Sequence, residues 1–454
     1  MTLVVSHNPA RPADILIETP ATGRQGVLAA VERARTASRL WAQGGAARRA
    51  AALHAAAERV EQAGDELAAL VVREVGKPIT EARGEIARAV AILRYYAQQP
   101  YDPVGSVHEP AAGAGLLFTR RAPHGVAGLI TPWNFPLAIP LWKAAPALAT
   151  GNAVVLKPAP PATACALRLA ELLDGVLPES VFTVVPGGAE EGMALVDGAD
   201  VVSFTGSTAV GRAVVQAATA SGTPVQAEMG GQNAALVLPD ADVETTAAQL
   251  AAAVAGFAGQ KCTATKRIIA VGDPGPLRDA LIGALNALRT GDPADPDTVC
   301  GPLISAAARD AVLAAASGGR LLTGGVRPAG LDGWYAAPTL VDRLPDGHLL
   351  ATEEVFGPIA ALSSAPDLDT AIACAGSVAH GLVSSVHTAD LDAALRCADR
   401  LATGMVKVNA PTTGVDFHLP FGGEKASSHG PREQGKAALD FYTRTRTVTM
   451  LSAA

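Results

Sequence analysis

The 454 residues include only five cysteines, Cys165, Cys262, Cys300, Cys374 and Cys397, and none forms a Cys-x-x-Cys pair. Their odd number and wide scatter exclude a disulfide framework and a zinc ribbon or finger. There is no His-Glu-x-x-His, no Cys/His cluster and no dense set of carboxylates, so no metal site is expected. A Gly-x-Ser-x-Gly turn after a strand is also lacking, which argues against a Ser-His-Asp hydrolase. Lys and Arg number 36 against 43 Asp and Glu, a net charge of −7, with no basic cluster. Nucleic acid and anionic membrane surfaces are therefore poor partners. No apolar run reaches the length of a membrane span, and Met1–His7 lack a basic region leading into a long apolar stretch. The cytoplasm is the expected location, and its reducing conditions keep a reactive thiol reduced.

Hydrophobic residues make up 49% of the chain, mostly Ala, Val and Leu, enough for two or three packed domains. Residues 28–100 carry apolar positions at helical spacing and predict a helical block. Residues 101–123 turn Pro- and Gly-rich and then extended, as an edge hairpin or arm would. From residue 125 short apolar runs alternate with amphipathic stretches. Strands are expected at Val126–Ile130, Ala153–Leu156, Val181–Val185, Val201–Phe204 and Val225–Ala227. Helices are expected at Ala162–Leu173, Glu190–Val196 and Thr208–Ala220. Apolar strands with crossover helices imply a doubly wound parallel sheet. A second α/β series follows Cys262: Arg267–Val271, Pro276–Arg289, Gly381–Val386, Asp390–Leu401 and Gly404–Val408. The tail Phe441–Met450 alternates like a strand added to an edge.

Chemistry concentrates in a few stretches. Gly259-Gln260-Lys261-Cys262-Thr263 sets one cysteine among small and polar neighbours, which suits an accessible thiol better than a packed one. Glu228-Met229-Gly230-Gly231 offers a carboxylate that folding would bring to it as a base. In Thr131-Pro132-Trp133-Asn134-Phe135-Pro136 two prolines stiffen a loop at the carboxyl edge of a strand. The Asn134 amide there can donate to an oxyanion, though a loop-capping role is the plainer alternative. Lys157-Pro158 ends another strand, where the ammonium can reach a ribose or phosphate or simply be solvated. Phe204-Thr205-Gly206-Ser207 joins strand to helix, so Ser207 and the helical N–H groups can hold a phosphate. Glu353-Glu354-Val355-Phe356 pairs carboxylates with a ring, suited to a sugar hydroxyl and a base or pyridine, or to a solvated turn.

In this order, Pro-Trp-Asn-Phe-Pro, Lys-Pro, Phe-Thr-Gly-Ser-Thr, Glu-Met-Gly-Gly, Gly-Gln-Lys-Cys, Glu-Glu-Val-Phe-Gly-Pro and Pro-Phe-Gly-Gly resemble the aldehyde dehydrogenase superfamily. The resemblance implies an α/β fold of two doubly wound domains plus a β oligomerisation arm. Residues 1–105 and 124–229 would bind the cofactor, 230–429 would form the catalytic domain, and 106–123 with 430–454 the arm of a homo-oligomer, dimer or tetramer. It implies a Cys262 thiolate attacking a small-molecule aldehyde, Asn134 and the Cys262 N–H holding the oxyanion, and a thioester intermediate. Glu228 would activate Cys262 or the deacylating water, and Lys143 would support the polar network. Ile130, Trp133, Lys157, Gly192, Phe204, Ser207 and Met229 would line the cofactor groove, with Glu354 and Phe356 at the nicotinamide ribose.

Two departures bear on specificity. Many NAD-using members place a Glu for the adenosine ribose where this chain has Pro160, so a 2′-phosphate is not repelled and NADP is favoured, with NAD use left open. A position that is often Lys is here Gln232. The runs Asn409–His418 and Phe421–Gly435 resemble 2-oxoglutarate semialdehyde (2,5-dioxopentanoate) dehydrogenases. Lys261, Thr263 and His418 are the candidates for a substrate carboxylate. The alternatives are another aldehyde (succinic semialdehyde, an aminoaldehyde, an aromatic aldehyde), release of the thioester to CoA, or a non-catalytic binding protein. Retention of Glu228, Cys262 and Asn134 weighs against the last two.

Overall fold

The computed structural model describes residues 2–451. An antiparallel hairpin, Leu3–His7 with Ile15–Pro20, opens the chain and was not expected from the sequence. Four helices follow, Gly23–Gln43, Gly45–Gln62, Gly64–Val75 and Ile79–Gln98. Each buries an apolar stripe; in the last, Ala82, Ile86, Ala89, Val90, Leu93 and Ala97 recur at three- and four-residue steps.

The first large sheet runs Ser428–His429, Val225–Glu228, Val201–Thr205, Val126–Thr131, Ala153–Pro158, Phe182–Val184. All neighbours are parallel except the short Ser428–His429 edge. From Val126–Thr131 the chain adds strands first on one side and then on the other. The order therefore reverses between Val126–Thr131 and Val201–Thr205, and ligands bind at the carboxyl ends beside such a switch point. The second sheet runs Arg320–Thr323, Thr339–Asp342, Ile359–Ala365, Thr265–Val271, Asn233–Val237, Val383–His387, Met405–Val408. Only its Arg320–Thr323 edge is antiparallel. Both sheets carry apolar clusters on both faces, which is why their central strands read as continuous apolar runs.

The arm is a three-stranded sheet in which Thr443–Met450 pairs along the whole of Leu116–Pro123, with Val107–His108 beyond it. The residues just before this last strand do other work. Ala438, Leu439, Phe441 and Tyr442 are buried in the core that the first four helices share. Among the described residues no helix is long and apolar enough to cross a membrane.

One helix escaped the sequence. Ala138–Ala149 buries all its residues, so it has no polar face to give a period, and Pro140 and Pro146 read as breakers. It packs between the first sheet and Ile79–Gln98 and carries Lys143 into the interior.

Candidate active site

The Cys262 loop is built on strained backbone. After the Val243–Ala255 helix, Phe257 (φ 53), Ala258 (φ 52) and Gly259 (φ 63) are all left-handed. For the two non-glycine residues this costs about 1–3 kcal/mol each, and surrounding contacts must hold it. At Gly259 a Cβ would stand 2.2 Å from the Gly357 carbonyl oxygen, so only glycine fits. Gln260 donates from Nε2 to Pro302 O (3.1 Å) and accepts the Ile304 N–H at Oε1 (2.9 Å). Lys266 Nζ donates to the Gly259 (3.1 Å) and Gly357 (2.7 Å) carbonyls. Asn233 Nδ2 donates to the carbonyls of Cys262 (2.7 Å) and Ala264 (2.8 Å). Cys262, thus fixed from several sides, lines a pocket of about 260 Å³ just ahead of the Thr265–Val271 strand.

Asn134 reaches this loop from the first sheet. Its Nδ2 donates to Gln260 O at 3.0 Å, which leaves the second N–H of the amide for an oxyanion. Its own loop is braced from below. Glu85 Oε1 accepts the N–H groups of Leu137 and Ala138, 2.9 Å each, at the start of the buried helix, where a carboxylate is favoured. Glu85 also pairs with Lys77, both side chains being fully buried, and the Lys77 ammonium lies 3.7 Å from the Phe135 ring centre and 4.7 Å from that of Phe257. One buried ion pair thereby steadies both the Asn134 loop and the strained run before Cys262.

Glu228 ends the Val225–Glu228 strand. Ser428 donates to its Oε2 at 2.6 Å, and Oε1 has no partner among the described residues. Burial, reinforced by the charge of Glu433, holds its carboxyl well above the usual range against the pull of Ser428, Lys143 and Arg432. Burial likewise pushes the Cys262 thiol up, and Glu354, Glu228 and Glu433 add to the shift. Both shifts disfavour the charged forms, so a Cys262 thiolate calls for an ionised base at hand to take its proton. Lys143 is wholly buried, donating to Ser203 Oγ at 2.8 Å and pairing with Glu433. Trp142 Nε1 donates to the other Glu433 oxygen at 2.8 Å.

The residues expected at a nucleotide gather at the carboxyl ends of the first sheet. A Cβ on Gly192 would stand 3.6 Å from the Lys157 side chain and 3.9 Å from Ile130. A Cβ on Gly211 would stand 2.6 Å from Met229 Sδ and 3.0 Å from Phe204. Ser207 caps the Thr208–Ala220 helix in extended conformation with its hydroxyl free of any capping bond. Lys157 Nζ donates to Pro158 O (2.9 Å) and Gly187 O (3.2 Å), and burial lowers its ammonium to about 8 against the pull of Glu191. Phe356 packs edge-on to Trp133, ring centres 5.8 Å apart. Glu354 comes so near Gly230 that a Cβ there would meet its Oε2 at 2.1 Å. Glu354 Oε1 and Thr205 Oγ1 are buried without partners among the described residues, as groups awaiting ribose or amide contacts would be. Burial raises the Glu354 carboxyl, with Lys266 opposing.

The candidates for a substrate carboxylate divide. Lys261 and Thr263 line the Cys262 pocket, but Lys261 is paired with Glu81 at 2.7 Å. His418 is exposed and lies outside the pocket lining. Gln232, the other departure, donates to Leu350 O at 2.7 Å and fills a structural place. Glu433, Asn233, Glu85 and Arg88 had no role in the sequence reading. Glu433 stands inside a motif quoted there, and only its position beside Arg432 and Gly435 could have flagged it.

A family model described as "Aldehyde dehydrogenase family" matches residues 2–448. The chain is 38% identical to the alpha-ketoglutaric semialdehyde dehydrogenase of Bacillus subtilis, over 98% of this chain and 94% of the other. It is 39% identical to the alpha-ketoglutarate semialdehyde dehydrogenase of Haloferax volcanii, over 97% and 94%. The solved betaine aldehyde dehydrogenase of Staphylococcus aureus in complex with NAD+ superposes with a TM-score of 0.95 at 28% identity, covering 99% of this chain and 91% of that one. With the motifs, the two-sheet fold and these full-length matches in agreement, the chain belongs to the aldehyde dehydrogenase family.

Proposed function

We propose that the protein oxidises an oxo-acid semialdehyde, such as 2-oxoglutarate semialdehyde, to the carboxylic acid with NADP favoured over NAD. The reading is supported by the Asn134 amide, which donates to Gln260 O two residues before Cys262, and by Glu228, whose charge acts on the Cys262 thiol. Cys262 adds to the carbonyl carbon as its proton leaves for Glu228, giving a thiohemiacetal. The oxyanion is received by the second N–H of Asn134 and the N–H of Cys262, and one such donor is worth about 10²–10³ in rate. When bound, the nicotinamide supplies the hydride acceptor that makes the thiohemiacetal a thioester. After Glu228 has released that proton to solvent, it takes one from water as the water attacks the thioester carbon; the C–S bond breaks, the acid leaves, and Glu228 returns the proton to the Cys262 thiolate. Lys143 and Glu433 hold the polar floor beneath Glu228.

Phosphate would rest on Ser207 and the N-terminus of the Thr208–Ala220 helix, with Lys157 at the adenosine ribose and Glu354 with Phe356 at the nicotinamide end. The protein would act as a homo-oligomer through the arm sheet. The substrate reading draws support from the semialdehyde dehydrogenases among its relatives. It is tested by initial rates of NADPH and NADH formation with 2-oxoglutarate semialdehyde, succinic semialdehyde, an aminoaldehyde and benzaldehyde. Highest kcat/KM for 2-oxoglutarate semialdehyde is expected; a clear preference for another aldehyde overturns the substrate and leaves the chemistry.

Pro160 begins the short turn Pro160–Ala162 after the Ala153–Pro158 strand. Pro160→Glu is expected to lower the NADP-to-NAD ratio of kcat/KM by about tenfold to a hundredfold, because a carboxylate repels a 2′-phosphate and binds ribose hydroxyls. An unmoved ratio would mean that this turn does not face the ribose.

A further inference from the structure

The Ile79–Gln98 helix sets three charged side chains toward the pocket of Cys262: Glu81, Glu85 and Arg88. Two are already engaged. Glu81 pairs with Lys261, and Glu85 is held by Lys77 and the N–H groups of Leu137 and Ala138. Arg88 is half-buried and, among the described residues, has neither an ion pair nor a hydrogen bond. Its neighbours in the pocket are largely apolar, including Ile139, Trp142, Val415 and Phe421. A guanidinium has five donors in a fixed fork, and leaving them unmatched beside apolar walls is costly unless an anion or water answers them.

A second cation stands behind the lining residues. Lys407 Nζ donates to Thr413 O at 2.7 Å and to Gly414 O, and both of those residues line the pocket. Lys407 and Arg88 feel each other's charge, while Asp416 and Glu85 partly balance them. Of the charges in the lining, Glu81 and Lys261 pair with each other and Glu85 pairs with Lys77, which leaves Arg88 as the one not neutralised by a contact among the described residues.

We propose that Arg88 receives the carboxylate of the aldehyde substrate, fixing the far end of the molecule whose carbonyl Cys262 attacks. The inference rests on the oxo-acid semialdehyde reading and names the group that makes that class preferred. A planar carboxylate matches the guanidinium fork with two parallel hydrogen bonds, which an ammonium such as Lys261, already held by Glu81, does not reproduce. The aromatic and aliphatic residues that line the pocket together with Arg88 and Cys262 suit a short methylene chain.

The test compares the wild type with Arg88→Gln and Arg88→Lys, using 2-oxoglutarate semialdehyde and pentanal, a neutral aldehyde of equal chain length. In Arg88→Gln the ratio of kcat/KM for the anionic over the neutral aldehyde is expected to fall about tenfold to a hundredfold, carried by KM. Arg88→Lys restores part of it. The inhibition constant of 2-oxoglutarate, competitive with the aldehyde, rises in parallel. An unchanged ratio, or equal loss on both aldehydes with unchanged 2-oxoglutarate inhibition, overturns the role of Arg88. A wild type that prefers pentanal instead overturns the semialdehyde reading before any variant is compared, and this inference with it.

Discussion

Cys262→Ala is expected to lose about 10⁴-fold or more in kcat while keeping its fold, because the proposed route is covalent through this thiol and nothing nearby replaces it. The other cysteines are no substitutes: Cys165, Cys300 and Cys397 are buried, and exposed Cys374 sits at the end of the Leu368–Gly376 helix, outside the lining of the Cys262 pocket. The fold should survive, since the loop is held through the Cys262 carbonyl, Gln260 and Lys266 rather than through the sulfur. NAD(P)H formation and circular dichroism on the same preparation check both halves. Activity near that of the wild type with an intact spectrum would end the covalent mechanism.

Glu228→Gln is expected to cut steady-state turnover about 10²- to 10⁴-fold, the usual range for losing a general base. Glutamine keeps the shape and can still meet Ser428, so the change removes proton affinity more than structure. Rapid mixing separates the two roles proposed for Glu228. If it serves mainly the deacylating water, the variant still makes one NAD(P)H per active site and then stalls as thioester. If it also deprotonates Cys262, the burst itself slows. The pH profile supplies a second readout. Only the ionised carboxylate accepts a proton, and burial has raised its pKa, so wild-type turnover climbs with pH through a range well above that of an ordinary carboxylate. That rising limb should vanish in Glu228→Gln; its persistence, or undiminished turnover, would remove Glu228 from the chemistry.

The alternation of apolar strands with amphipathic helices made much of the first sheet readable before any coordinates. Val126–Thr131, Ala153–Pro158 and Val201–Thr205 are covered on both faces, so their composition alone betrays them. The same burial hid the Ala138–Ala149 helix, which has no wet face to give a period. Candidate site residues were legible where a motif carries them, as with Asn134 and Glu228. They were not legible where their meaning lies in a distant contact. Glu433 matters through Lys143, far from it in sequence, and Glu85 through two backbone N–H groups of another helix. Arg88 looks in sequence like any charge on an amphipathic helix; only the pairing of Glu81 and Glu85 to other partners sets it apart.

Two crossings of the chain between the sheets run side by side at this site. One leaves the first sheet after Glu228 and enters the second at Asn233; the other returns through Ala426 and Ser427 to Ser428. They are stitched together, the Met229 N–H donating to Ser427 O and Ser427 Oγ to Gly230 O, 2.8 Å each. Glu228 sits at the start of this double strap, and Asn233, which grips the Cys262 carbonyl, at its end. Points near an axis move least when two bodies rotate. Any motion that turned one sheet against the other about this strap would displace the rim of the first sheet far more than Glu228 and the Cys262 carbonyl, which the strap holds at its two ends.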